Sequence, residues 1–458
     1  DLFCYWANSI QTIAGFALIS SLYLIYNLSS YLVLSSSIAA SILVYFFVNL
    51  IGHPSQKHGL PFPVMMRMSM GLNGARYFSL LRSIVGIFMF GIQTYFISKS
   101  INYLTRIIIY YGIDAQILEN ELLLAFFLGL NIIDWFSLII TFFIQYFLFT
   151  NGQRYNQGFL KFSAIFVYLG LIFFFVVLIA ENSTQIFQSL KSNTTTTNLI
   201  SKSNILPFVV VTGTIFSYFS IVLLNFGDFS RYVKTSKDLK IGNLFLFLNM
   251  IIFSFLATTI VIGVDVLLNQ KLIVVDQIIT KPMDIIGKID NVYLSVYALI
   301  FIIFSSLSTN LITNYVPTQN SIINFLPKNL NLKSTGMLIL FFGIIAGGLW
   351  PSLLSQIEVI RLIDSLAAFF GPIFGIIIAD YYIVKKEKIN HKDLFYIRPE
   401  NEYIYSGGWN YKAVYAVFIG FIFSFSIIWN ITFADFKTFS WIIGFVVSYI
   451  MYYLLNNK

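Results

Sequence analysis

The chain has 458 residues, 58% of them apolar and only 10% charged. A soluble globular domain carries roughly a quarter charged residues, so this composition excludes one and points to a polytopic α-helical membrane protein. The 28 Lys+Arg exceed the 20 Asp+Glu by 8, which reads as the topological bias of membrane loops rather than as a nucleic-acid footprint. The single cysteine, Cys4, excludes an internal disulfide and a cysteine-based metal cluster.

In chain order, apolar runs between turn and charge punctuation predict twelve spans, near 3–26, 31–51, 77–98, 122–149, 159–181, 206–226, 241–268, 291–315, 336–354, 360–384, 412–430 and 437–455. The first run is long and has no basic leader, so it reads as a span and not as a cleaved signal; it starts almost at Asp1, and an N-terminal tail is expected ahead of it. Summing alternate loops puts 18 Lys and Arg on the side that holds residues 52–76 and 9 on the other. That bias predicts both termini in the cytoplasm of a cell whose inner (plasma) membrane the chain crosses. Segments 64–76 and 228–240 read as short amphipathic helices on the inner membrane surface, and Ser192 to Ser203 as a flexible outer loop. No sizeable soluble domain remains.

Polar residues inside spans are the informative ones, because hydrocarbon offers them no water. The first span carries Ala7 to Thr12 (Ala-Asn-Ser-Ile-Gln-Thr) followed by Gly15, and the sixth carries Thr212-Gly213-Thr214 followed by Ser217, Tyr218 and Ser220. Both are predicted to be broken helices. They lie five spans apart, an odd offset that relates two repeats by inversion. The same offset pairs the third span, with Phe90-Gly-Ile-Gln-Thr94, and the eighth, with Ser305, Ser306, Ser308, Thr309, Asn310, Thr313 and Asn314. On a helix Ser305, Ser308 and Thr309 share one face, while Asn310 and Asn314 share another. Hydroxyls opposite a broken helix suit a small alkali cation, and amides suit the edge of a heterocycle such as uracil or hydantoin. Ser and Thr can instead bond back to the preceding turn, and Asn can join helix to helix.

Asp134, beside Asn131 and Trp135, falls in the middle of the fourth span by this count and reads as a proton relay or as half of a structural pair. The only histidines, His53, His58 and His391, fall in loops, so no nucleophile-and-base set or metal cluster supports an enzyme. A channel would repeat its pore residues around an oligomer axis, whereas here they fall at inverted positions of one chain.

At these residues the chain resembles the nucleobase:cation symporter family 1, the cytosine/purine, uracil, thiamine, allantoin and hydantoin permeases. The resemblance rests on Gly59-Leu-Pro-Phe-Pro63, Phe90-Gly-Ile-Gln-Thr94, Asn225-Phe-Gly-Asp-Phe-Ser-Arg231, Thr309-Asn310 with Asn314, Gly371-Pro372, Ala379-Asp-Tyr-Tyr-Ile-Val-Lys385 and Tyr405-Ser-Gly-Gly-Trp-Asn410. It implies five-plus-five inverted repeats, 1–181 and 206–384, with two additional helices in 412–455, broken first and sixth helices, and alternating access around a central site. It also implies a cation held by the carbonyls of Ala7, Ile10 and Ser305 and the hydroxyls of Ser308 and Thr309. The substrate ring would meet Gln11, Gln93, Asn310, Asn314, Tyr218 and Phe219. Met89 and Phe219 stand where the family's hydantoin carrier has two tryptophans, which leaves the identity of the ring open. A third departure is Gly227, where the family usually has proline.

The expectation is therefore a monomeric secondary transporter that imports a nucleobase-like heterocycle with Na⁺, without further cofactors. Proton coupling, or an amino acid or thiamine carried on the same scaffold, is the alternative.

Overall fold

The computed structural model describes residues 1–12, 15–16, 18–19, 29–113, 125–195, 202–270, 291–354, 365–395 and 401–457. Among these residues the chain is helical apart from turns and two isolated β-bridges, and eleven helices are long and apolar enough to cross a membrane. With the helix that opens the chain, we number them α1 (Leu2–Ile10), α2 (Ser30–His58), α3 (Phe62–Ile108), α4 (Ile132–Thr150), α5 (Gln153–Thr195) and α6 (Lys202–Asn225). Then follow α7 (Ser236–Gln270), α8 (Val292–Phe325), α9 (Leu332–Leu349), α10 (Phe370–Ala379), α11 (Tyr411–Trp429) and α12 (Ser440–Asn456).

The first span breaks where its polar residues compete for the backbone. Gln11 leaves helical geometry at φ −77° and ψ 67°. The Asn8 amide donates back to the Cys4 carbonyl and the Ser9 hydroxyl to that of Tyr5, at 2.7 and 2.8 Å. Beyond it, the Thr12 hydroxyl accepts the Gly15 N–H at 2.8 Å and the Thr12 carbonyl the Phe16 N–H at 2.9 Å.

The sixth span departs from expectation. α6 is continuous across Thr212-Gly213-Thr214 and turns only at Phe226, ahead of a single helical turn, Gly227–Ser230. Within it the Thr214 hydroxyl donates to the Val210 carbonyl at 2.8 Å, a bond that a helix accommodates. Gly213 serves packing, since a Cβ there would lie 2.5 Å from the Thr438 hydroxyl.

Three further expectations change. Segment 64–76 is no separate surface helix but the start of α3, kinked at Gly71, whose φ of 81° and ψ of 173° suit glycine. Segment 228–240 divides between the turn Gly227–Ser230 and the first residues of α7. The described part of 192–203 continues α5 to Thr195; residues 196–201 lie outside the described set.

The Gly71 kink explains the motif at 405–410. The kink exposes backbone groups that the motif loop satisfies: Asn73 N–H donates to the Gly408 carbonyl at 2.8 Å and Asn410 N–H to that of Met70 at 3.0 Å. The Asn410 amide adds a bond to the Ser69 carbonyl at 2.7 Å. Gly408, at φ 90°, lets the two backbones meet.

Several helix contacts recur at the five-span offset, although that of α3 on α9 has no such counterpart. α2 packs on α6 as α7 packs on α1, and α3 packs on α4 as α8 packs on α9. α3 touches α10 as α8 touches α5, while α2·α7, α3·α8 and α4·α9 each unite a helix with its counterpart. α11 and α12 pack against each other and on α10. α3 and α9 meet through glycines: a Cβ on Gly91 would fall 2.6 Å from Ala346 Cβ and 2.8 Å from the Gly343 carbonyl oxygen. Gly91→Val is therefore expected to cost about 1–3 kcal/mol through overpacking. Gly158→Ala, inside α5 with nothing within 4 Å, should leave the melting temperature of the detergent-solubilised protein unlowered, since Ala favours a helix over Gly by about 0.5–1 kcal/mol.

Candidate substrate and ion site

The break in α1 faces α8, and the two are joined by hydroxyl-to-carbonyl bonds. Thr309 Oγ1 donates to the Asn8 carbonyl at 3.0 Å, and Ser305 Oγ donates to the Gln11 carbonyl. Ser308 Oγ donates to the Ser305 carbonyl at 2.9 Å. Asn8, Gln11, Ser308 and Ser305 are all buried. Of the five groups expected to hold a cation, the Ser305 carbonyl and the Ser308 and Thr309 hydroxyls lie on the α8 side of the seam that these bonds form. Ala7 and Ile10 carbonyls already accept the N–H groups of Gln11 and Thr12, at 3.0 and 2.8 Å.

Two buried acceptors on α1, Asn8 Oδ1 and Gln11 Oε1, have no hydrogen-bond partner. Leaving such a group unpaired costs about 1–3 kcal/mol, so the seam is electron-rich and suits a cation or an incoming N–H donor. Hard neutral oxygens of this type fit an alkali ion, and among the described residues no group of three His, Cys, Asp or Glu could hold a transition metal.

On the other face of α8, the Asn310 amide donates to the Phe90 carbonyl at 3.3 Å and to Thr94 Oγ1 at 3.4 Å. Its oxygen accepts from Asn314 Nδ2 at 2.9 Å. Asn310 is therefore spent on orienting its neighbour, and Asn314 Oδ1 is the acceptor left for a ligand. Between the two anchor points on α3 lies Gln93, whose Nε2 is buried without a partner. Asn310–Tyr315 is a π-helical turn, a local widening that recurs at functional sites.

From α6, the Tyr218 hydroxyl is hydrogen-bonded to Thr12 at the α1 break, and its ring meets that of Phe219 edge-on at 5.2 Å. Phe219 is buried, and Met89 and Tyr218 are partly buried against the same apolar cluster. The site thus draws on α1, α3, α6 and α8.

Asp134 belongs elsewhere. The fourth span begins at Ile132, so Asp134 lies in its first turn, where it forms a capping box with Asn131. It also forms an ion pair with Lys99 at 2.7 Å and accepts from Asn102 at 2.9 Å. It is a structural pair rather than a relay.

The residue that sequence reasoning missed is Arg82, the one basic residue outside the loop sums. It is 1% exposed. Its Nε donates to Asn225 Oδ1 at 2.6 Å and its Nη2 to the Thr313 carbonyl at 3.0 Å. Asn225 Nδ2 in turn donates to Asp228 Oδ2 at 3.3 Å, and Asp228 Oδ1 accepts the Phe62 N–H at 3.2 Å. The signal was available, since a charge inside an apolar run is costly and is kept for a partner.

A bundle with a broken helix, a neutral oxygen seam and an adjacent set of amides defines a multi-pass membrane transporter for small molecules. Residues 1–451 match the family described as permeases for cytosine/purines, uracil, thiamine and allantoin, and the chain belongs to that family. It is 27% identical to an allantoin permease of Bacillus subtilis (strain 168), over 98% of this chain and 88% of that protein. It is also 27% identical to the purine-uracil permease NCS1 of Arabidopsis thaliana, over 85% of this chain and 62% of that protein. Among solved structures it resembles MHP1, a nucleobase-cation-symport-1 family transporter in a closed conformation with bromovinylhydantoin bound. That match has a TM-score of 0.72 at 15% identity, covering 100% of this chain and 92% of that one. A Na⁺-coupled sialic acid symporter shares the fold at a TM-score of 0.60 and 13% identity, covering 98% of this chain and 88% of that one.

Asp228 sits in the turn joining α6 to α7, and burial outweighs the nearby Arg231 to push its carboxyl up to about 6. A folded-state value above the ordinary one means that the folded protein holds this proton more tightly. The resulting stability is full below the ordinary value of 3.8 and is lost as pH rises through about 6. The melting temperature of the wild type should thus fall between pH 5 and 7 by more than that of Asp228→Asn, a difference readable in parallel thermal scans.

Proposed function

We propose that the protein imports a ureide- or imide-containing heterocycle, of the allantoin, uracil or hydantoin type, together with Na⁺. The observations that carry this reading are two groups buried without a partner, the acceptor Gln11 Oε1 at the α1 break and the donor Gln93 Nε2 between the two α3 residues that Asn310 bonds. Such rings alternate N–H and C=O along one edge and need an acceptor and a donor together. Gln93 would donate to a ring carbonyl, Gln11 and Asn314 would accept ring N–H groups, and Asn310 would hold Asn314 in place. Met89 and Phe219 would cover the ring faces, Met through its polarizable sulfur and Phe by stacking. Tyr218, tied to Thr12, links the ring site to the α1 break.

Na⁺ would sit in the seam of Ala7, Ile10, Ser305, Ser308 and Thr309, displacing bonds now made within it. By drawing the broken helix onto α8 it favours the conformer in which Gln11 faces Gln93, so that each ligand strengthens the other's binding. The relatives named for allantoin and purine-uracil transport support the substrate class. The paired hydroxyls, with no carboxylate among them, support Na⁺ over H⁺. The two repeats would be 1–181 and 206–384, related by inversion, with α11 and α12 outside them; the mirrored helix contacts support this division. The more basic loops would face the cytoplasm, with both termini, and the monomer would be the working unit in the plasma membrane. Inward transport is then driven by about 2.3 kcal/mol per charge per 100 mV together with the Na⁺ gradient.

Uptake of labelled allantoin, uracil, hydantoin, thiamine and amino acids in proteoliposomes, with and without a Na⁺ gradient, tests both parts. Preference for amino acids or thiamine would overturn the substrate class, and uptake that follows a pH gradient instead would overturn the cation. Gln93→Ala should raise KM for the heterocycle by about tenfold, the cost of one lost hydrogen bond to a buried ring. Ser308→Ala with Thr309→Ala should raise the Na⁺ concentration needed for half-maximal uptake.

A further inference from the structure

α8 contains Pro317, seated at the beginning of the helical stretch Val316–Phe325 that follows the π-helical turn Asn310–Tyr315. Proline has no N–H, so the carbonyl four residues before it, that of Thr313, loses its α-helical donor. In hydrocarbon no water replaces that donor. The Arg82 Nη2 of α3 does, at 3.0 Å. Gly86, one turn further along α3, makes the approach possible: a Cβ there would lie 2.6 Å from Arg82 Nη1 and 1.9 Å from Thr318 Oγ1.

We propose that Arg82 is a positioning residue for the substrate site, holding the π-helical turn of α8 in register by supplying the hydrogen bond that Pro317 removes. The turn carries both Asn310 and Asn314. It is tied to α3 at two heights, through Asn310 to Phe90 and Thr94 and through Thr313 to Arg82. Two ties to one helix fix rotation as well as height, and so fix where Asn314 Oδ1 points. The Arg82 charge is steadied in turn by Asn225, which passes it to Asp228 at the end of α6. This inference rests on the heterocycle site proposed above for its transport consequence, but not for its structural one.

Two measurements on the full chain separate them. Hydrogen–deuterium exchange, without any ligand, should show faster exchange across 310–318 in Arg82→Gln than in the wild type. Adding Pro317→Ala restores a backbone N–H, so Arg82→Gln/Pro317→Ala should return the segment to slow exchange, with the new amide at position 317 itself protected. In proteoliposomes the KM for the heterocycle should rise about tenfold in Arg82→Gln and recover in the double variant, with Vmax changing less. Wild-type exchange in Arg82→Gln, or no recovery in the double variant, would overturn the proposal. If Arg82→Gln does not accumulate, Arg82→Lys takes its place, since one ammonium cannot reproduce the fork that spans Asn225 and Thr313. A wild type that moves no heterocycle would overturn the substrate reading and leave the exchange result to decide the role of Arg82.

Discussion

Everything in this structure follows from one constraint: a helix broken inside a bilayer must have its freed backbone groups satisfied by another helix. α1 breaks at Gln11, and α8 answers with Ser305 and Thr309, which donate to the Gln11 and Asn8 carbonyls. The same requirement fixes the distance between the two helices and places polar oxygens where a ligand can compete for them. The candidate site lies where the break is closed.

The rule repeats at each irregularity. The Gly71 kink is closed by the loop at 405–410, and the carbonyl orphaned by Pro317 is closed by Arg82. Neutral side chains and backbone do most of this closing. Where a charge is used, it is buried with a specific partner: Arg82 on Asn225, Asp134 on Lys99, and Asp380 on Lys385 at 3.1 Å. Removing one member of such a set leaves the other uncompensated in a low-dielectric surrounding, which costs more than the pair itself contributes.

Much of this was legible in the sequence. The apolar runs gave the helices, and the family motifs gave the membership, because hydropathy and the polar residues of α1, α3 and α8 act over short stretches. The hydroxyl and amide faces of α8 were legible from helical spacing alone. What escaped was long-range. Thr212-Gly213-Thr214 looks like a break, yet Thr214 finds its acceptor within its own helix and Gly213 answers to the approach of Thr438 and Phe439, just ahead of α12. Asp134 looks central until the start of α4 at Ile132 is known. Asn310 looks like a ligand group until its amide is seen to be committed to Phe90 and Thr94, which lie 220 and 216 residues away in sequence. The partners of Arg82 were hidden for the same reason, since they come from two other helices.

The π-helical turn at Asn310–Tyr315 also changes how α8 must be read along its length. A helix widened by one residue slips its side-chain rotation by about 100° beyond that point. A cysteine or spin-label scan along α8 would therefore show two periodic patterns out of phase, meeting inside that turn. Positions before 310 and after 315 that a regular wheel places on the same face would report different environments, one lipid and the other protein.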